Sequence, residues 1–352
     1  MSRTPIATAV AVFLLGAGCA ACGGHRRAGG APTTAASGVA PRTAARHPVV
    51  AALPAPRHRP DPIVLVTAET RNQLVSVDAR TGRLLGRVSE ATDPENVVVG
   101  SMAIVVSSAS HTVSLLDLHT LRTITRLRRF TLPHLVAVGA GKSFAYVSDD
   151  TAGTVTPIDL STRTELGAVA VGAGAHHMAL SPDGHRLWVA LGETAQTIVI
   201  LDTTNPAHPR VLRRWNPGFA VHDLVYSPDG RQVWISAASA PDVTVLDART
   251  RRVRFRVDVG AGPQHIAFDR AGVYLTSGYG SRIERVRSAD GRLLRRAVSP
   301  YGSFELDVAD GYVVTASLFA GKLVIYDTGL HLRHRLALAP ATRDEAILTP
   351  RP

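Results

Sequence analysis

Asn96, His134, His177, Asp223, His265, Glu305 and Glu345 stand 38 to 46 positions apart along the 352-residue chain. None is apolar, and His176, His222 and Gln264 directly precede three of them. Imidazole nitrogens ligate Zn, Cu, Fe and Ni and exchange protons near neutral pH, and carboxylates complete such sites. His134, His177, His222 and His265 are therefore candidate ligands for a divalent metal, with Asp223, Glu305 or Glu345 completing the coordination. Against this stands a plainer account in which a water-filled opening needs polar residues only to solvate it. Spacing alone leaves both readings open.

The elements that must position these residues form a repeat. A β-rich run ending in Asp recurs at Leu74–Asp78, Val113–Asp117, Val155–Asp159, Ile198–Asp202, Val243–Asp247 and Leu323–Asp327, with Ile283–Arg287 as the sixth of seven copies. Successive ends lie 39, 42, 43, 45, 40 and 40 residues apart, the period of a four-stranded propeller blade. An apolar strand precedes each run, and a more polar strand follows, as at Leu84–Ser89 and Arg252–Val257. Charge on that last strand suits an outer edge that must not pair with other chains. Each candidate site residue opens or adjoins the remaining strand of its repeat, so all of them should gather at one mouth of a central channel. The expected fold is all-β: a seven-bladed β-propeller over residues 61–352, with four antiparallel strands per blade. The first repeat lacks an inner strand of its own, so Glu345–Leu348 must return to supply it.

Ser181-Pro182-Asp183-Gly184, Ser227-Pro228-Asp229-Gly230, the strand-ending Asp series and Val259-Gly260-Ala261-Gly262-Pro263 resemble the YVTN-repeat family of seven-bladed propellers. The resemblance covers roughly residues 61–350 and implies the fold; propellers host unrelated activities, so it does not imply the chemistry. Asp269-Arg270-Ala271-Gly272 and Arg287 depart from the pattern and predict an irregular sixth blade. Pro presets φ, Asp accepts from nearby amides and Gly takes positive φ, so the turn motif itself is structural.

The two ends of the chain carry other information. Arg3, the apolar run Ile6–Leu15 and the small residues Gly16-Ala17-Gly18 read as a signal peptide within residues 1–22, too short to span a bilayer. Cys19 follows the small residues as in a bacterial lipobox, with Cys22 as the alternative acylation site. The implied destination is the outer face of the cell membrane, held by an N-terminal lipid. Residues 23–60 are rich in Ala, Gly, Pro, Thr and Arg and read as a disordered tether. The sequence has no cysteine beyond these two, which excludes disulfides, thiolate metal sites and a catalytic thiol from the folded part.

The net charge of +11 invites a nucleic-acid reading, but seven of the 39 basic residues and none of the 28 acidic ones lie in residues 1–60. Aromatic residues make up only 5% of the chain, few for the stacking platforms that single-stranded DNA needs. DNA binding therefore ranks third. The leading class is a ligand-binding or protein-interaction scaffold, a monomer whose partner is a small molecule or a protein, with Tyr279, Arg282, Tyr301 and Phe304 as candidate loop contacts. The runner-up is a metal-assisted hydrolase or lyase of lactonase type, using the His and acid ring at the channel mouth.

Overall fold

Side chains alternate between the faces of a strand, so continuous apolar runs such as Ile63–Ala68 and Ala103–Ser107 put apolar groups on both faces, and a sheet built around them has to be covered twice. The computed structural model describes residues 61–349 except 140, 193–195, 263 and 271. The leader, both cysteines and the tether lie outside the described residues. Seven antiparallel sheets follow one another, each ordered from the channel outward. Among the described residues the helical content is one 3-10 turn, Glu69–Arg71, and no helix is long and apolar enough to cross a membrane.

Blade one consists of Glu345–Leu348, Ile63–Ala68, Gln73–Asp78 and Leu84–Ser89 in that spatial order. The expected closure is present: Ile63 pairs with Leu348 and Val66 with Glu345, antiparallel. Arg343 N and Asp344 O extend the same ladder to Thr67. Blades two, four, five, six and seven are four-stranded with inner strands Pro94–Val99, Ala175–Leu180, Leu224–Tyr226, Ile266–Asp269 and Asp307–Ala309. Blade six is regular, contrary to expectation. Arg287 N still bonds Arg292 O, and Arg287 pairs with Asp290, so the missing Asp is replaced by a salt-bridged turn. The irregularity falls instead in blade three, whose outer edge is split into Thr164–Glu165 and Val169–Ala170.

The seven buried clusters are the seven blade interfaces. Leu65 and Leu74 face Val97, Val105 and Leu116 of blade two. Their strand neighbours Val64, Val66, Val75 and Val77 face Val314, Leu323 and Ile325 of blade seven, together with Ile347. The same alternation carries the core around the ring without a break. The strand-ending Asp residues hold the outer turns: Asp78 Oδ1 accepts from Thr81 N at 2.7 Å and Asp247 Oδ1 from Thr250 N at 2.7 Å. Outer strands are guarded by charge, as with Arg254 and Arg256 or Arg333 and Arg335.

If closure holds the ring, truncating buried Ile347 to Ala should cost about 2–4 kcal/mol. Leu332→Ala, on an exposed outer strand, should stay within about 0.5 kcal/mol. Urea unfolding followed by circular dichroism checks both; equal effects would remove Ile347 from any special place.

Candidate functional site

Inner strands begin at one mouth of the channel, and several begin with a register shift. The pairing jumps between Pro94 and Asn96, between Pro133 and Val136 and between Ala175 and Met178. A bulge inserts a residue that strict alternation would turn away. Consecutive residues therefore reach the same space: Glu95 with Asn96, His134 with Leu135, and His176 with His177 line one cavity of about 320 Å3. His222, His265, Glu305, Arg343, Tyr279 and Phe304 complete most of its wall.

Five imidazoles are crowded together there. His134 stacks on His176 with ring centroids 3.8 Å apart, His177 lies 4.6 Å from His222 and 5.2 Å from His265, and His222 and His265 cross at 87°. Their donor atoms fall into two groups, each within 4.8 Å: His134, His176 and His177, and His177, His222 and His265. The four histidines expected to share one ion thus divide between two triads, with His176 joining the first and His177 common to both.

Carboxylates lie behind the imidazoles. His176 Nδ1 is 2.8 Å from Asp150 Oδ2, His265 Nδ1 is 3.0 Å from Glu305 Oε2, His177 Nδ1 is 3.3 Å from Asp223 Oδ1 and His134 Nδ1 is 3.5 Å from Glu95 Oε2. At His176 and His265 the carboxylate fixes the ring through Nδ1 and leaves Nε2 for the cluster, the arrangement that orients histidine ligands around metals; His177 Nδ1, though near Asp223, makes no hydrogen bond. His222 Nε2 and His265 Nε2 face each other at 3.3 Å, whereas His222 Nδ1 is buried with no hydrogen-bond partner.

Charge follows from the surroundings. Burial disfavours a proton on His265, yet Glu305 and then Asp223 raise it to about 9. Burial and the neighbouring histidines push His222 and His177 well below the ordinary imidazole value, so both are neutral near pH 7. A charged His265 donates Nδ1–H to Glu305 and Nε2–H to neutral His222, which accounts for the facing nitrogens. Burial alone would raise Glu95, but His134, Arg343 and Ser108 hold it down at about 2.

Other expected site residues have structural duties. Asn96 donates to Asp344 Oδ2 at 2.6 Å and accepts from Val136 N at 3.1 Å, linking blades at the cavity wall. Asp223 caps its own strand through Leu224 N at 2.8 Å while contacting His177. Gln264 turns away to Ala240 O and Gly260 O, and Arg282 Nε donates to Val259 O. Glu345 accepts from Ala316 N at 2.7 Å and is absent from the cavity lining.

Glu95, Asp150, Arg343 and Asp344 are functional or supporting groups that the spacing argument passes over. Glu95 and Asp344 were legible in principle, since each directly precedes a ring residue as His176 and His222 do. Arg343 Nη1 reaches Glu95 Oε1 at 3.1 Å and Glu69 Oε2 at 3.7 Å; no periodicity signals that pairing.

No family model matches the chain, and no curated protein matches it. Solved structures resemble it in fold. One is a functionally unknown protein from Desulfotomaculum acetoxidans, 13% identical, with a TM-score of 0.71 over 82% of this chain and 99% of that one. Hydrazine synthase of Kuenenia stuttgartiensis is 16% identical, with a TM-score of 0.66 over 81% and 100%. Apo AztD from Citrobacter koseri is 11% identical, with a TM-score of 0.63 over 82% and 98%. At these identities the likeness concerns the propeller alone, a fold that serves unrelated roles.

Glu345 offers a test of the buried acids. Burial, then Asp344 and Glu305, and more weakly Asp307, raise its carboxyl well above the usual value, and Oε1 has no partner. Its proton is held more tightly in the folded chain than in the unfolded one. Stability from this group is present below the ordinary carboxylate range and is lost as pH rises through the folded value. Glu345→Gln keeps an acceptor for Ala316 N without the charge. Its melting temperature should exceed that of the parent by about 2–4 °C at pH 8, with a smaller difference at pH 4.5. Equal differences at both pH values would refute a neutral-preferring Glu345.

Proposed function

We propose that this protein is an extracytoplasmic ligand-binding propeller of YVTN-repeat type whose channel mouth holds a divalent transition metal on histidine nitrogens. The observation that carries the reading is the set His177, His222 and His265, buried, with donor atoms within 4.8 Å and the Glu305 carboxylate at the Nδ1 of His265. Two facing ring nitrogens need a cation or a proton between them; a metal meets that need at His222 and His265 and engages His177 as well. Imidazole donors favour Zn, Cu, Ni or Fe over Mg or Ca. The Ser-Pro-Asp-Gly turns and the strand-ending Asp series support the family assignment, and the apolar leader before Cys19 supports export and a lipid anchor.

Purified protein, stripped with chelator and titrated calorimetrically with zinc, should bind tightly and carry zinc on elemental analysis. His177→Ala, which touches both triads, should abolish tight binding, and Glu305→Gln should weaken it about 10–100-fold by freeing the His265 ring. His208→Ala, exposed and remote in sequence from the cluster, should bind like the parent. No retained metal, or undiminished binding by His177→Ala, would refute the reading. The mature N-terminus should carry acyl chains on Cys19 or Cys22 by mass spectrometry; an unacylated, released form would refute anchoring.

A metal-assisted hydrolase or lyase is the second reading, favoured by one observation. Three nitrogen donors leave coordination positions facing a 320 Å3 cavity, the open geometry that lets a metal activate water. Zinc-dependent turnover of a lactone or ester panel, lost in His265→Ala, would support it.

A further inference from the structure

The cavity has a second wall of different chemistry. Tyr279, Tyr301 and Phe319 are about half exposed, at 49%, 52% and 54%, and among the described residues they are the exposed aromatic side chains. All three come from loops of blades six and seven at the same mouth as the histidines. Phe319 lies near-parallel to Tyr301 at 28° and to Tyr279 at 18°, with centroids 5.5 and 6.5 Å away. Phe304 meets Tyr279 and Phe319 edge-on at 5.2 and 5.7 Å. Tyr279 and Phe304 line the cavity beside His265 and Glu305, and Tyr301 and Phe319 pack against these two rings outside the lining.

The platform is built into the backbone. A Cβ on Gly278 would sit 2.2 Å from the Phe304 ring, and one on Gly302, at φ +82°, would sit 2.5 Å from Phe319. Both positions therefore need glycine for the rings to lie flat on the loops. Gly302 N donates to Gly278 O, Leu318 N to Gly302 O and Ser317 Oγ to Tyr301 O, tying the three loops together. Exposed rings held this rigidly offer stacking area at little further entropic cost.

Resting on the metal reading above, we infer that the ligand is a flat aromatic molecule bearing an anionic oxygen-donor pair, of the salicylate or catecholate class. Its oxygens fill the metal positions that the imidazoles leave open, and its ring stacks on the wall of Tyr279, Tyr301 and Phe319. The cavity of about 320 Å3 exceeds what an ion and a few waters need, each water taking ~30 Å3 in the liquid.

The test compares three probes that each carry one hydroxyl and one carboxylate, salicylate, cis-2-hydroxycyclohexanecarboxylate and lactate, titrated into zinc-loaded protein. Salicylate should bind at least about tenfold more tightly than either non-aromatic probe. Phe319→Leu and Tyr301→Leu keep an apolar side chain and leave the histidines untouched. Each should weaken salicylate severalfold while zinc affinity is unchanged. Equal affinity for all three probes, undiminished salicylate binding in both variants, or tighter binding of an oligothymidylate than of salicylate would overturn the inference. Should zinc fail to bind, the metal reading falls by itself. Salicylate binding to the metal-free protein that Phe319→Leu abolishes would then preserve the aromatic wall, and its absence would overturn that too.

Discussion

Pairing of Glu345–Leu348 with Ile63–Ala68 is the contact on which everything else depends. Each blade is apolar on both faces, so a ring with one unfilled inner position would leave two blade surfaces open to water. The returning strand fills it with Ile347 on the blade-seven side and Ala346 and Leu348 on the blade-two side. The same segment brings Arg343 and Asp344 to the channel mouth, where they bind Glu95 and Asn96. Closure of the chain and construction of the site are one event.

Local chemistry within the site is ordered in two shells that divide the work. Burial and mutual repulsion keep His177 and His222 neutral, whereas the carboxylates of Glu305 and Asp223 hold His265 charged. The outer carboxylates set ring orientation, and two of them are held in turn, Glu95 by Arg343 and Ser108 and Asp223 by the Leu224 amide.

Much of this was legible in the sequence because it repeats. The period near forty, the alternation within strands and the missing first inner strand lead to seven blades and their closure without reference to any coordinate. The histidine sector was legible for the same reason, as positions in register along the repeat. Blade six defied expectation because a turn can be held by an Arg287–Asp290 ion pair as well as by the usual Asp. The grouping of five histidines into two triads that share His177, and the carboxylates behind them, depend on bulges and inter-blade distances that carry no period. Tyr301 and Phe304 were visible as loop aromatics, but Phe319 joins them only through the fold.

The register shifts at the inner strand starts give the molecule an unusual freedom. A regular strand lends every second side chain to the lumen, whereas a bulged one lends two in succession. Substitution at such doubled positions, for instance Glu95 beside Asn96 or His176 beside His177, would rewrite the lining two side chains at a time. The rigid wheel and the chemistry at its hub can thus diverge separately, so relatives sharing the wheel need not share a ligand.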